Sequence, residues 1–254
     1  MTYLERYSAG EHVEIWDELQ ALGNAVRDPA VLADALSVAR ATMDRVALNI
    51  ERLADRLTSY GYEFGIYPDG SKLHIERGGV TRPTSESLGH IDELERLAGT
   101  IPLSLRAFWE CVGSVSFIGR AQAGWPDYSD PLCVEGPRTG ILEFYDWQRD
   151  ANPLTGAPGG EPFLCPIAPD FLHKDNVSGG RPYGIQLPDS KADAVLQQEW
   201  HHIRFVPYLR IAILDWGGFP GLSPANPYDK WRSRRADRVA PTWFEELRRD
   251  LAPF

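Results

Sequence analysis

Apolar residues fall on one helical face through much of the first sixty positions. From Glu11 to Leu22 they stand at Val13, Ile15, Trp16, Leu19 and Leu22, which predicts a short helix stopped by Gly23-Asn24. From residue 30 to 59 the series is Leu32, Leu36, Ala39, Met43, Val46, Ile50, Leu53 and Leu57, stepping alternately by four and three. That is a heptad seam on a helix about 45 Å long. Asp28 is placed to cap it, and Pro29 suits its first turn. Such a seam has to be hidden, either against the rest of the chain or against a second copy in a homodimer through the 30–59 helix. Residues 1–9 lack the pattern and read as an extended arm.

The period changes at Tyr60. Tyr62, Phe64 and Ile66, then Leu73 and Ile75, alternate around Asp69-Gly70, which predicts a β-hairpin. Residues 78–86, with Pro83, read as a polar linker, so the helical part ends somewhere within 60–85. His90 to Ala98 predicts an acidic helix. A second helix follows, with Thr100 as its cap, Pro102 in its first turn and Leu105, Phe108, Trp109 and Val112 on one face. Gly113 can end it in the left-handed conformation, and Val115, Phe117 and Ile118 then suit a strand. Further strands are read at Leu132–Val134, Ile141–Trp147, Phe163–Ile167 and Pro182–Leu187, the third as an edge strand because of Pro166. Loops are read at 120–131, 149–161 and 173–180. The last core helix is Val206–Asp215, stopped by Gly217-Gly218. A tail from 223 holds an Arg-rich helix, Trp231–Val239, and a short helix near Trp243–Leu251. Trp231, Trp243, Phe244 and Leu247 would anchor it to the body.

The order of an acidic helix, Ile-Pro, an aromatic-bearing helix, Val-Gly and a strand resembles the SMI1/KNR4 superfamily, also called SUKH. It is carried by Ile91-Asp92-Glu93-Leu94-Glu95-Arg96-Leu97-Ala98-Gly99-Thr100-Ile101-Pro102, then Leu105, Phe108, Trp109, Val112 and Gly113. Tyr208-Leu209 and Trp216-Gly217-Gly218-Phe219-Pro220 are similar to that family's C-terminal end. The resemblance covers about residues 86–221. It implies an α+β fold, a mixed and largely antiparallel sheet with flanking helices. Here an N-terminal helical segment (1–60) precedes this core (61–222), and a helical tail (223–254) follows. Members of the family are mostly bacterial immunity proteins that bind and neutralise a toxin, often a nuclease. Some relatives are scaffold or regulatory adaptors.

Composition changes the picture in one respect. The net charge is −10 and uneven: residues 230–254 carry a net +3, leaving −13 on the rest. An acidic body disfavours direct nucleic-acid binding, which needs cations against phosphates, and suits a basic protein partner. There is no run of 18 apolar residues and no leading apolar segment, so the expectation is a cytoplasmic protein without a membrane span. Cys111, Cys133 and Cys165 are too widely spaced for a metal knuckle and read as buried free thiols.

Nucleotide-binding, esterase and zinc-protease motifs are missing, so the chain reads as a binding protein, not an enzyme, with no cofactor and no metal. Two loops carry candidate chemistry. Trp125, Asp127, Tyr128 and Asp130, with Asp146 and Trp147 repeating the pairing, combine aromatic anchors and carboxylates, as suits a contact with a basic partner. His173, Asp175 and Asn176 form a polar turn and are the one place a hydrolytic His–carboxylate pair would be sought. His201-His202, being adjacent, point to different sides and read as structural.

Overall fold

The computed structural model describes residues 1–73, 79–121, 126–138, 141–142, 145, 163–227 and 242–254. Three helices come first: α1 (Tyr3–Ser8), α2 (His12–Ala21) and α3 (Pro29–Ser59). The first replaces the expected extended arm. Thr2 and Glu5 form a reciprocal cap, Glu5 N donating to Thr2 Oγ1 at 3.1 Å and Thr2 N donating to the Glu5 carboxylate at 2.8 Å. Asp34 of α3 then accepts from Tyr3 N and Leu4 N at 2.6 and 3.1 Å, so a helix too short to stand alone is held by its neighbour.

The seam of α3 closes inside the chain. Ala39, Met43, Val46, Ile50, Leu53 and Leu57 are buried, packed chiefly against α1 and α5. Contact with a second copy through this helix is left to its outer face, where Arg40, Asp44, Leu48 and Asp55 are exposed. Asp28 occupies the cap position of α3 without a side-chain bond to it.

Next come α4 (Ser85–Ala98), which Thr84 caps by accepting from Ser87 N at 3.1 Å, and α5 (Leu103–Cys111). Thr100 does not cap α5; Pro102 holds that position. The cap comes from a distant loop: Ser104 N donates to Ala192 O at 2.9 Å, and Ser104 Oγ donates to Asp193 at 2.6 Å. The Thr100 carbonyl accepts from Asp189 N at 2.8 Å instead. Gly113 ends the helix region at φ +88°, where a Cβ would stand 2.3 Å from Thr81 O.

The strands are β1 (Tyr62–Phe64), β2 (Val80–Thr81), β3 (Ser114–Ser116), β4 (Gly119–Ala121), β5 (Cys133–Val134), β6 (Phe163–Ala168), β7 (Tyr183–Leu187) and β8 (Leu196–Gln197). They pair antiparallel as β1-β4, β2-β3-β5 and β6-β7-β8. Glu135 N donates to Ile167 O at 2.6 Å and stitches β5 to β6. Pro166 sits at a register shift on β6, which is the end strand of its sheet, as its proline leads one to expect. The architecture is α+β.

Three sequence expectations change here. The predicted hairpin is seen at its tip, where Ile66 bridges Lys72 and Leu73 N donates to Gly65 O at 2.7 Å, and β1 also pairs with the unforeseen β4. Ile75 lies outside the described residues. The expected linker contains β2, because Val80 and Thr81 meet Val115 and Ser114 across the sheet. Of Ile141–Trp147, residues 141, 142 and 145 are described, and they are helical.

Helix α6 (Phe205–Arg210) runs into a wider turn of helix over Ile211–Asp215, and α7 (Phe244–Leu247) lies in the tail. Phe244 and Leu247 are buried, and Trp243 stacks on Tyr60 with ring centroids 4.7 Å apart. Trp231, the helix Trp231–Val239 and the loop 149–161 lie outside the described residues. A polar stripe on α3 seats the tail. Arg45 donates to Pro253 O, Asn49 both donates to Ala252 O and accepts from Ala252 N, and Arg52 donates to Asp250 O, each at 2.8 Å. Arg56 donates to Leu247 O at 2.7 Å, and Arg210 to Phe254 O at 2.5 Å. Tyr7, Trp109, Ile185 and Phe254 belong to one buried cluster, so helices, sheet and tail share a core. Among the described residues no helix is long and apolar enough to cross a membrane.

Candidate functional site

Asp127, Tyr128 and Asp130 lie on the loop between β4 and β5. The backbone bends there through positive φ at Tyr128 (55°) and Asp130 (47°). His173, Asp175 and Asn176 lie about 45 positions later, on a single tight turn over His173–Asp175 that ends with Asn176 in the left-handed region. The fold brings the two loops together. Tyr128 N donates to Asp175 Oδ2 at 2.6 Å, and Lys174 Nζ donates to Asp130 Oδ1 at 2.6 Å.

The second of these bonds is fully interior, the Lys174 and Asp130 side chains being 0% and 1% exposed. Tyr183 donates to the other Asp130 oxygen at 3.1 Å, and the ammonium sits 4.7 Å from the Tyr183 ring centre. An ion pair out of water survives only when its remaining valences are satisfied, and Tyr183 helps to do so. Burial, reinforced by Asp130, pushes the Tyr183 hydroxyl well above its ordinary range, so it stays a donor. Asp130 is therefore an internal tie between the loops, with its charge directed inward. Asp127 and Tyr128 remain half-buried at the surface.

A third loop joins this face. Asn176 Nδ2 donates to Asp69 Oδ2 at 2.9 Å and to Ser71 Oγ at 3.1 Å. The Ser71 hydroxyl, with help from Asn176, holds the Asp69 carboxyl down to about 2. Asp175 is not the carboxylate that meets His173. Asp170 is: it lies three residues earlier, is 3% exposed, accepts from Leu172 N at 2.8 Å and takes the His173 Nδ1. Gly180 packs so closely that a Cβ would stand 2.2 Å from the Asp170 carboxyl carbon. His173 itself is half exposed at the rim of a cleft of about 530 Å³ lined also by Tyr67, Glu135 and Asn176. A second cleft of about 420 Å³, over β2, β3 and β5, shares Tyr67, Glu135 and Pro169 with it, so the two run together.

Of the nine candidate residues, Asp127, Tyr128, Asp130, His173, Asp175 and Asn176 are gathered on this face. Trp125, Asp146 and Trp147 lie outside the described residues. Sequence reasoning missed Asp170, Lys174, Glu135 and Tyr67. Asp170 had a usable signal, since a carboxylate three positions before a histidine in a tight turn faces it.

Elsewhere the chemistry is structural. Glu199, fully buried, accepts from His201 Nδ1 at 2.6 Å. Cys133 and Cys165 are buried and Cys111 half-buried, and all three are free. Burial raises every one, Cys111 to about 11 and Cys133 to about 12, which leaves them unreactive thiols. Among the described residues no three His, Cys, Asp or Glu side chains stand close enough to hold a metal. The chain matches no protein-family model, no curated protein and no solved structure.

Proposed function

We propose that the protein is a non-enzymatic binding module, a cytoplasmic immunity protein of the SUKH type that neutralises a basic toxin domain, such as a nuclease, by covering it. The observation that carries the reading is the convergence of loops 67–71, 126–130 and 170–178 on one face, tied by the Lys174–Asp130 and Tyr128–Asp175 bonds. Loops fixed in this way offer a contact surface with little ordering cost on binding. The acidic balance of the chain outside residues 230–254 favours a basic partner and fast encounter.

Binding to the C-terminal domain of the neighbouring gene's product, followed by calorimetry, tests the reading. The expected outcome is a one-to-one complex of nanomolar affinity or tighter that relieves growth arrest. Asp127→Lys should weaken it roughly ten-fold and flatten its salt dependence. Asp130 is unsuited to this test, because reversing its charge breaks the buried tie. Several weak partners without neutralisation would favour a scaffold or regulatory adaptor. An activity lost in His173→Ala would establish a hydrolase.

A further inference from the structure

Several polar side chains around the larger cleft are already tied to neighbours, and the hydroxyls of Tyr67 and Ser178 line it beside them. His173 engages Asp170 through its Nδ1. Asn176 gives both amide hydrogens to Asp69 and Ser71, which leaves its carbonyl oxygen. Glu135 accepts only; its partner Arg138, 2.7 Å away, is itself 64% exposed and able to swing off. Asp170 forms the charged floor, and Tyr67 and Pro169 supply flat apolar walls. Among the described residues no lysine or arginine lines the larger cleft itself; Arg82 and Arg138 line the smaller one that runs into it.

A cleft with Glu135, Asp170 and the Asn176 carbonyl as acceptors and with flat walls favours a cationic donor, whereas a phosphate or carboxylate would be repelled. A guanidinium carries five donors in a plane, no acceptor, and a face that stacks on aromatic rings. We propose that the cleft between Tyr67, Glu135 and His173 receives the guanidinium of an arginine presented by the partner protein. The proposal rests on the binding reading above and adds the side chain it recognises.

The test is titration of the full-length, ¹⁵N-labelled protein with acetyl-Gly-Arg-Gly-amide and with the same peptide carrying citrulline or lysine. The arginine peptide should shift the amide signals of Glu135, His173 and Asn176. The citrulline peptide, which keeps the shape and loses the charge, should bind roughly ten-fold more weakly, and the lysine peptide should also be weaker. Glu135→Gln should weaken binding, whereas Arg138→Ala, on an exposed side chain, should tighten it about two- to three-fold by freeing Glu135. Equal binding of arginine and citrulline peptides, no shifts at these residues, or no response to Arg138→Ala would overturn the proposal. The two readings fail separately. A toxin complex that ignores Glu135→Gln removes only the arginine pocket, and peptide binding without any toxin partner removes only the immunity reading.

Discussion

Asp193 shows how one buried carboxylate sets a property of the whole molecule. It is 2% exposed, yet it accepts from Ser104 Oγ at 2.6 Å, from Val206 N at 3.0 Å and from Ala194 N at 3.1 Å. Burial outweighs these bonds and raises it from 3.8 to about 6. The folded state then holds the proton more tightly than the unfolded chain. The stabilisation this gives is complete below the unfolded value and is lost as pH rises through about 6. Between about pH 4.5 and 7.5 the change amounts to about 2 kcal/mol. Urea unfolding of the wild type and of Asp193→Asn at both pH values measures it: the variant should gain on the wild type by about that amount as pH rises. A difference independent of pH would contradict the assignment. Nothing in the local sequence Lys191-Ala192-Asp193-Ala194 announces this role, because the three donors come from α5, α6 and the adjacent backbone. The candidate site is similar. Asp127, Tyr128, His173, Asp175 and Asn176 were legible as turn formers with polar chemistry, but the pairing of Lys174 with Asp130 spans 44 positions and leaves no local pattern.

At the scale of elements, α3 carries two signals, and only one was readable. Its heptad seam follows from spacing alone, because every apolar position had to find cover. The stripe of Arg45, Asn49, Arg52 and Arg56 also repeats at helical spacing, but its partners are main-chain atoms of the tail, which have no signature in a sequence. Asn49 makes the closest match, donating to and accepting from Ala252 while itself fully buried. Asn49→Ala should cost roughly 1–3 kcal/mol by leaving both Ala252 groups without their bonds, and hydrogen exchange at the Ala252 amide should quicken far more than at β7. Unchanged exchange there would show that the apolar anchors alone hold the tail. The strand errors have a related cause. Tyr62, Phe64 and Ile66 alternate correctly, but alternation does not say which strand is the partner, and β4, from beyond α4 and α5, pairs with β1.

For the whole molecule, the seam of α3, the sheet and the tail bury their side chains in one another. The helical segment 1–60 has no separate core to keep if the rest melts. Thermal unfolding should therefore be a single transition, with calorimetric and van't Hoff enthalpies equal. Two resolved transitions, one of them retained in a chain lacking residues 1–60, would show that segment to be independent. The longer helices and the strands β3, β6 and β7 were visible from period and punctuation, whereas α1 and the short strands β2, β4 and β8 were not. The shared core was not, because periodicity shows that a face must be covered without showing what covers it.

The seating of the tail has a consequence for how this chain can change over time. Along residues 247–254 the α3 stripe and Arg210 grip the peptide units and ignore the side chains attached to them. Substitutions at Arg249 or Ala252 leave those acceptors in place, provided Leu247 and Phe254 still fill their cavities, whereas position 250, at φ +56°, favours aspartate, asparagine or glycine. Proline at 252 is the exception, since it removes the hydrogen that Asn49 accepts. Positions 249 and 252 are thus freer to drift in composition than the path of the chain through them.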